Sequence, residues 1–367
     1  MAGCRRCGAT DRIFSRRLGF CGPCIRRHFG EVWPEIEAYH HESRRAFRLP
    51  LTPPRDPEGR ECTLCFHACR IPEGGVGYCG ARRVEGGRLR GGGPAGAGVS
   101  WYEDPLPTNC VADWFCPGGT GRGYPDYALK DGPERGYVNL AVFYHACNFN
   151  CLYCQNWTFK RRTFSGARAS ARELARAVTP RTACICYFGG DPTPALPHAL
   201  AAARLARERA ARLGHRVRIC WETNGAMQSR WLKPLVESSL ANGGIIKIDL
   251  KAFSEEMHRA LTGVSNSQTL ANVAALARHL PERSQVPLLT ASTLMVPGYV
   301  DLEEIHGLAR FLATLNPEIP YSLLAFYPQF YLPDLPVTSR DFAFRARETA
   351  LAAGLRHVNL GNVHLLK

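Results

Sequence analysis

Cys147, Cys151 and Cys154 follow one another in a C-x3-C-x2-C spacing, short enough for one loop to turn three thiolates toward a single point. Such a loop is a metal or cluster site. An iron–sulfur cube has four irons and usually takes four thiolates. Three thiolates leave one iron without a protein ligand and free to bind a substrate. The same spacing also serves a zinc loop, or cysteines that pack as small buried residues. The loop alone leaves these readings open.

Two further sets precede it. Cys4-x2-Cys7, thirteen residues, then Cys21-x2-Cys24 forms two knuckles with four thiolates, which suits tetrahedral zinc closed by four Cys or His ligands. Cys62-x2-Cys65-x3-Cys69-x9-Cys79 places four more within eighteen residues, with Gly74, Gly75 and Gly77 supplying turns. Zinc and an auxiliary iron–sulfur centre are both chemically acceptable there. The three sets account for eleven of the sixteen cysteines, a clustering typical of metal sites. Cys110 and Cys116 read as incidental or spare ligands, and Cys184, Cys186 and Cys220 as small residues packing in strands. His145 reads as a satisfied strand-end histidine close enough to tune the loop by hydrogen bonding. His40-His41 reads as surface.

The composition sets bounds. A chain of 367 residues with 45% hydrophobic residues can bury a full core and carry a smaller appendage. Lys plus Arg exceeds Asp plus Glu by 46 − 32 = +14. Much of that excess is Arg within Ala-rich helical stretches such as 201–213, so nucleic acid is a possible partner but not the favoured one. The chain is large and lacks a basic start followed by an apolar segment, so the cysteines fit thiols in a reducing cytoplasm better than secreted disulfides. No apolar run is long enough to span a membrane.

These residues need a scaffold. A cysteine-rich, zinc-ribbon-like module is expected over residues 1–48, with a polar helix over 31–47. A Pro-rich linker and the second cysteine set occupy 49–135, with loop and hairpin expected over 84–100. From residue 136 to 367, apolar runs of strand length alternate with stretches of helical period. The runs are 137–144, 183–188, 217–221, 244–250, 288–296 and 321–326, with a further strand over 355–360. Strands buried on both faces and separated by helices imply parallel β/α units. The fold class is therefore α/β, a partial (β/α)6-type TIM-like barrel, with chemistry at the C-terminal strand ends. The cysteine loop follows the first strand. Gly189-Gly190-Asp191-Pro192 follows the second, Glu222-Thr223-Asn224-Gly225 the third, and Asp249-Leu250-Lys251 ends the fourth. Four motifs at four successive strand ends share one mouth.

In these motifs the sequence resembles radical S-adenosylmethionine (SAM) enzymes, and within them the AmmeMemoRadiSam branch of the pyruvate formate-lyase activating-enzyme-like proteins. The resemblance runs from Cys62 to Val363 and includes Phe188-Gly-Gly-Asp-Pro-Thr193, Val296-Pro-Gly298, Phe326-Tyr-Pro328, Asp334-Leu-Pro336 and Gly361-Asn-Val363. It implies that Cys147, Cys151 and Cys154 hold a [4Fe-4S] cluster whose open iron chelates the methionine end of SAM. It implies that Tyr153 lies against adenine and that Gly189, Gly190 and Asp191 meet the methionine amino group. It implies that Glu222 approaches the ribose or sulfonium side, that Asn224 also binds the cofactor, and that Asp249 with Lys251 meets the nucleoside or carboxylate. The implied reaction is reductive cleavage of SAM to a 5′-deoxyadenosyl radical that abstracts hydrogen, fed by an electron donor such as flavodoxin or ferredoxin. Ala146 stands where relatives have Gly, and Tyr327 where they commonly have His. The module at Cys4–Cys24 lies outside the resemblance. The substrate is unidentified and possibly a protein; activation of a glycyl radical enzyme is the alternative within the class, and a non-catalytic zinc or nucleic-acid-binding protein the alternative outside it.

Overall fold

The computed structural model describes residues 3–367. Eight strands form its main sheet: β1 (Ala97–Pro105), β2 (Val138–Tyr144), β3 (Thr182–Phe188), β4 (Arg218–Thr223), β5 (Ile246–Asp249), β6 (Leu289–Met295), β7 (Tyr321–Ala325) and β8 (Val358–Gly361). They lie side by side in chain order, with a short ninth strand, Arg168–Ala169, outside β1. From β2 to β8 all neighbours are parallel. This is the expected βα architecture: six β/α units, then the further strand expected over 355–360, which no α-helix follows.

Burial explains why these runs become strands. Ile185, Tyr187, Ile219, Trp221, Ile246 and Ile248 are wholly buried, and each buried side chain of this size contributes about 1.5–3 kcal/mol. Nine helices matter to the site: α1 (Gly22–Arg27), α2 (Phe29–Arg45), α3 (Ala171–Arg176), α4 (Leu196–Arg212), α5 (Leu232–Leu240), α6 (Glu255–Thr262), α7 (Ser267–Ala277), α8 (Leu302–Leu315) and α9 (Arg340–Ala352). In α4, Leu196, Ala199, Ala203, Ala206 and Ala210 form a buried stripe at helical spacing, while Arg204, Arg207 and Arg212 face solvent. Ser170 and Glu173 close a reciprocal capping box at the start of α3.

One element departs from expectation. Residues 84–100 contain the expected hairpin, Arg83–Glu85 against Arg88–Arg90, but β1 begins at Ala97 and pairs antiparallel with β2 over seven residues. Ala97 and Val99 are buried there while Tyr102 and Glu103 are exposed. A half-exposed strand beside a buried one needs few apolar residues, so the Gly- and Arg-rich composition concealed it.

The sheet curls but does not close, because β8 and the short strand form its two edges. The connection after β1 fills the gap. Trp114 Nε1 donates to the Ser322 hydroxyl at 3.0 Å, Ser322 donates to the Val111 carbonyl at 2.7 Å, and Asn109 donates to Asn362 at 3.2 Å. Beneath it, the wholly buried Glu134 pairs with Arg218 of β4.

Candidate active site

The three-cysteine loop leaves the end of β2 and is pinned from several sides. Backbone donors of Asn150 and Leu152 reach the carbonyls of Thr262 and Leu261 at 2.9 Å, and Tyr331 N donates to Leu152 O at 2.9 Å. The next strand end lies directly against the start of the loop. Asp191 N donates to Ala146 O at 2.8 Å and Tyr144 N to Gly189 O at 3.1 Å. A Cβ on Gly190 would stand 2.4 Å from both the Ala146 and Tyr144 carbonyl oxygens, and both glycines have positive φ. The Gly-Gly pair is what lets the two strand ends touch.

Asp191 is turned inward rather than left free. Its carboxylate accepts from Thr193 N at 2.8 Å, Asn224 N at 2.8 Å and the Thr223 hydroxyl at 3.0 Å. It therefore ties the β3 end to the β4 end. Asn224 in turn donates to Asn148 at 2.8 Å, inside the cysteine loop.

All eleven residues expected to hold the SAM-binding cluster and SAM line one cavity of about 510 Å³: Cys147, Cys151, Tyr153 and Cys154 on one side, and Gly189, Gly190, Asp191, Glu222, Asn224, Asp249 and Lys251 on the strand ends. Burial pushes the Cys147 thiol well up, with Asp191 adding to the effect, and pushes Cys151 up to about 12 against the opposing pull of Lys251. Three such thiols ionise favourably only against a cationic centre. The buried Tyr153 hydroxyl, Gln155 Nε2 and Asp249 Oδ1 have no protein partner and belong to residues that line the same space. Three soft donors beside unspent polar atoms fit an iron–sulfur cluster with a polar, cationic ligand next to it.

The radical SAM superfamily matches residues 141–312 of the chain. The chain carries a radical SAM domain. It is 26% identical over 310 residues to an uncharacterized protein of Methanocaldococcus jannaschii, covering 82% of this chain and 81% of the relative. It is 26% identical over 203 residues to the pyruvate formate-lyase 1-activating enzyme of Escherichia coli K12, covering 54% of this chain and 76% of that enzyme. A putative glycyl-radical enzyme activating enzyme of M. jannaschii is 25% identical over 213 residues, covering 58% of this chain and 76% of the relative. Among solved structures, Streptococcus suis SuiB bound to S-adenosylmethionine gives a TM-score of 0.44 at 12% identity. That match covers 59% of this chain and 47% of SuiB, so the chain spans about half of SuiB's length. Its radical SAM domain and its activating-enzyme relatives make it an enzyme of the radical SAM class, similar to pyruvate formate-lyase activating enzymes.

Below the mouth of the radical SAM domain lies a polar floor that the sequence reading missed. Lys247 on β5 is buried. Its ammonium stands 3.0 Å from both the Cys110 and Cys186 sulfurs and 3.2 Å from Glu222. Cys110, expected to be incidental or a spare ligand, lines both the main cavity and a smaller one of about 110 Å³. The signal was strand parity: Lys247, Asp249 and Lys251 alternate, and the last two had already been assigned to the mouth. His145 does not line the cavity of the cysteines, and it is not the satisfied histidine expected: its Nε2 lies 3.1 Å from the Ser100 hydroxyl, but its buried Nδ1 has no partner. His40 corrects another expectation. It is buried, with Nε2 donating to Ala260 O at 3.0 Å and Nδ1 accepting from Asn150 at 3.1 Å. The reason is the stripe Val32, Ile36, His40 and Ser43, the face of α2 that is buried.

The sulfurs of Cys4, Cys7, Cys21 and Cys24 all lie within 4.8 Å of one another, three of the residues buried and Cys7 exposed. Tyr299 joins this module to the barrel, accepting from Ser15 N at 2.9 Å and donating to Phe20 O at 3.1 Å. No helix among the described residues is long and apolar enough to cross a membrane.

Proposed function

We propose that Cys147, Cys151 and Cys154 hold a [4Fe-4S] cluster, that SAM binds beside it in the same cavity, and that the enzyme abstracts hydrogen from a substrate opposite the loop. The observation that carries this reading is the convergence of all eleven expected residues on one cavity. When bound, cluster and SAM supply one-electron cleavage to a 5′-deoxyadenosyl radical, and the chemistry is the cofactors' own. The chain contributes position. Gly189 and Gly190 offer backbone to the methionine end, while Asp191 fixes the two strand ends rather than meeting the ligand directly. Tyr153 offers a ring to the base, and Lys251, paired with Asp249, offers charge at the far side. Glu222, paired with the buried Lys247 beneath it, adds a half-buried carboxylate to the cavity wall.

Cys4, Cys7, Cys21 and Cys24 hold zinc on this reading, since a zinc–sulfur bond of about 2.3 Å in a tetrahedron puts sulfurs about 3.8 Å apart, and Cys7 and Cys21 stand at 3.9 Å. The electron arrives from a flavodoxin- or ferredoxin-like donor. The test is anaerobic loading with iron and sulfide, then dithionite and SAM. Release of 5′-deoxyadenosine is expected, and a cluster-loaded protein that releases none overturns the proposal.

A further inference from the structure

Eleven of the sixteen cysteines fall into the three sets, and the other five meet inside the barrel. Cys110, Cys116, Cys184, Cys186 and Cys220 all line the smaller cavity. Cys110 alone among them also lines the main cavity, where the other thiols are the three of the cluster loop. It stands on the connection after β1, where the backbone is held on both sides. Cys110 N donates to Thr108 O at 2.8 Å, Asp113 N donates to Cys110 O at 3.0 Å, and the adjoining Val111 carbonyl accepts from Ser322 of β7 at 2.7 Å.

The Cys110 sulfur meets the barrel at Lys247, whose ammonium donates to Cys110 and Cys186 at 3.0 Å each. Lys247 shares a face of β5 with Asp249, the last residue of the strand, and lies about 6.6 Å short of it along the chain. The thiol therefore reaches the cavity from within the barrel, while the cluster loop reaches it from the mouth. The cavity is shaped for a ligand, since the hydroxyl of Tyr153, a residue 2% exposed, lines it with no protein partner.

The neighbours of the sulfur select its chemistry. Glu222 already balances Lys247 at 3.2 Å, so a thiolate at Cys110 would add an uncompensated buried charge. Burial raises the Cys110 thiol, and Lys247 opposes this without reversing it. A soft metal ion is disfavoured too, because the ammonium bonded to both Cys110 and Cys186 repels a cation. A neutral S–H remains. Such a thiol is a poor nucleophile, but its bond to hydrogen is weak enough to yield to a carbon radical.

We propose that Cys110 is a further catalytic residue, the donor that returns a hydrogen atom to the substrate radical from the side away from the cluster loop, with Lys247 as its positioning residue. This rests on the reading that SAM is cleaved beside Cys147, Cys151 and Cys154. Once a substrate carbon has lost hydrogen to the 5′-deoxyadenosyl radical, the S–H bond of Cys110 breaks homolytically and a C–H bond forms on the opposite side of that carbon. The thiyl radical left behind takes one electron from the same flavodoxin- or ferredoxin-like donor and a proton from Lys247, which solvent replaces. Each SAM cleaved thus takes up two electrons and one proton and ends as methionine and 5′-deoxyadenosine. The substrate neither gains nor loses hydrogen, so its class is a molecule with a C–H centre to be inverted.

The test uses cluster-loaded full-length enzyme with SAM and dithionite in D2O, where the Cys110 thiol exchanges to S–D, and no added substrate. The 5′-deoxyadenosine from wild type is expected to carry deuterium. In Cys110→Ser, whose O–H bond is too strong to yield, the labelled fraction of whatever is released should be lost. A labelled fraction that persists in Cys110→Ser, or unlabelled product from wild type, overturns the donor role. Wild type that releases no 5′-deoxyadenosine overturns the reading of the cluster loop instead. A second measurement needs no turnover: without reductant, iodoacetamide should alkylate Cys110, as peptide mapping reads, and 5′-deoxyadenosine with methionine should slow it. A Cys110 that is not alkylated, or is alkylated equally with and without these ligands, does not face their space, and the donor role falls.

Discussion

The side-chain amide of Asn150, at the centre of the three-cysteine loop, donates to the Ser43 hydroxyl on α2 at 2.7 Å. The same amide reaches His40, and its oxygen accepts from the buried Lys160 ammonium at 3.0 Å. The N-terminal helix thereby sets the shape of the loop from outside the radical SAM domain. A module that lies beyond the family resemblance acts as a support for the site within it.

Asn150→Ala removes an acceptor from Lys160 and donors from His40 and Ser43. Leaving buried polar groups unpaired costs about 1–3 kcal/mol each. The expected result is a lower denaturant midpoint and faster loss of iron from the loop on dilution into chelator. Unchanged iron retention in a folded variant would show that the loop does not depend on α2.

Removal of a ligand of the proposed zinc tests the support from its far end. Structural zinc sites couple metal binding to folding. Cys21→Ala is expected to abolish bound zinc and lower the thermal midpoint, and to weaken iron retention at Cys147–Cys154 because α2 is no longer held. A variant that loses zinc but keeps both the midpoint and the iron would make the module independent of the site.

The barrel was legible in the sequence because its strands are buried on both faces, where apolar runs have no alternative explanation. β2 to β8 all lie within or beside the expected runs. β1 was hidden because a strand next to the sheet's edge with one wet face can be written in Gly, Ser and charged residues. The site residues were legible for the same reason as the barrel: each follows a strand end. His40 was not. Nothing in a polar helix reveals which polar residues a neighbouring loop will cover, and the partners that bury His40, Ala260 and Asn150, lie more than a hundred positions away. Lys247 was concealed by its charge, although its parity pointed inward.

Stability should fall in mild acid. Burial lowers the pKa of His40, His67 and His258 from 6.5 to about 4 in the folded protein. Above pH 6.5 all three are neutral folded or unfolded, and no penalty exists. Between pH 6.5 and about 4 the unfolded chain binds protons that the folded one does not, so each histidine costs up to about 1.4 kcal/mol per pH unit. Denaturant midpoints measured from pH 7.5 to 5 should decline through this window. His258→Gln should flatten the decline, and an unchanged slope would remove buried histidines as its cause.

Lys247 is held by Glu222 and two thiols at the cavity floor. Lys247→Met leaves Glu222 without its counter-charge but still in touch with the cavity, so the expected cost is about 1–3 kcal/mol. Lys247→Met/Glu222→Gln should recover part of it. Additive losses in denaturation measurements would show that the pair does not interact.

Asp191 offers the sharpest separation between binding a ligand and shaping its site. Its two oxygens are committed to Thr193, Thr223 and Asn224, so its contribution to SAM runs through the positions of the Gly189–Gly190 backbone and of Asn224. Asp191→Asn replaces one accepting oxygen by a donor facing a backbone N–H, which forces one of these contacts apart. Asp191→Glu keeps the charge but is too long for the same three donors. If the carboxylate met the SAM amino group directly, Glu would retain much of the affinity that Asn loses. With a positioning role, both variants should bind SAM at least about tenfold more weakly, a loss of about 1.4 kcal/mol, while keeping the full iron content. Equilibrium dialysis of SAM against cluster-loaded variants distinguishes the two, and near-normal binding by Asp191→Glu would return the carboxylate to direct contact with the ligand.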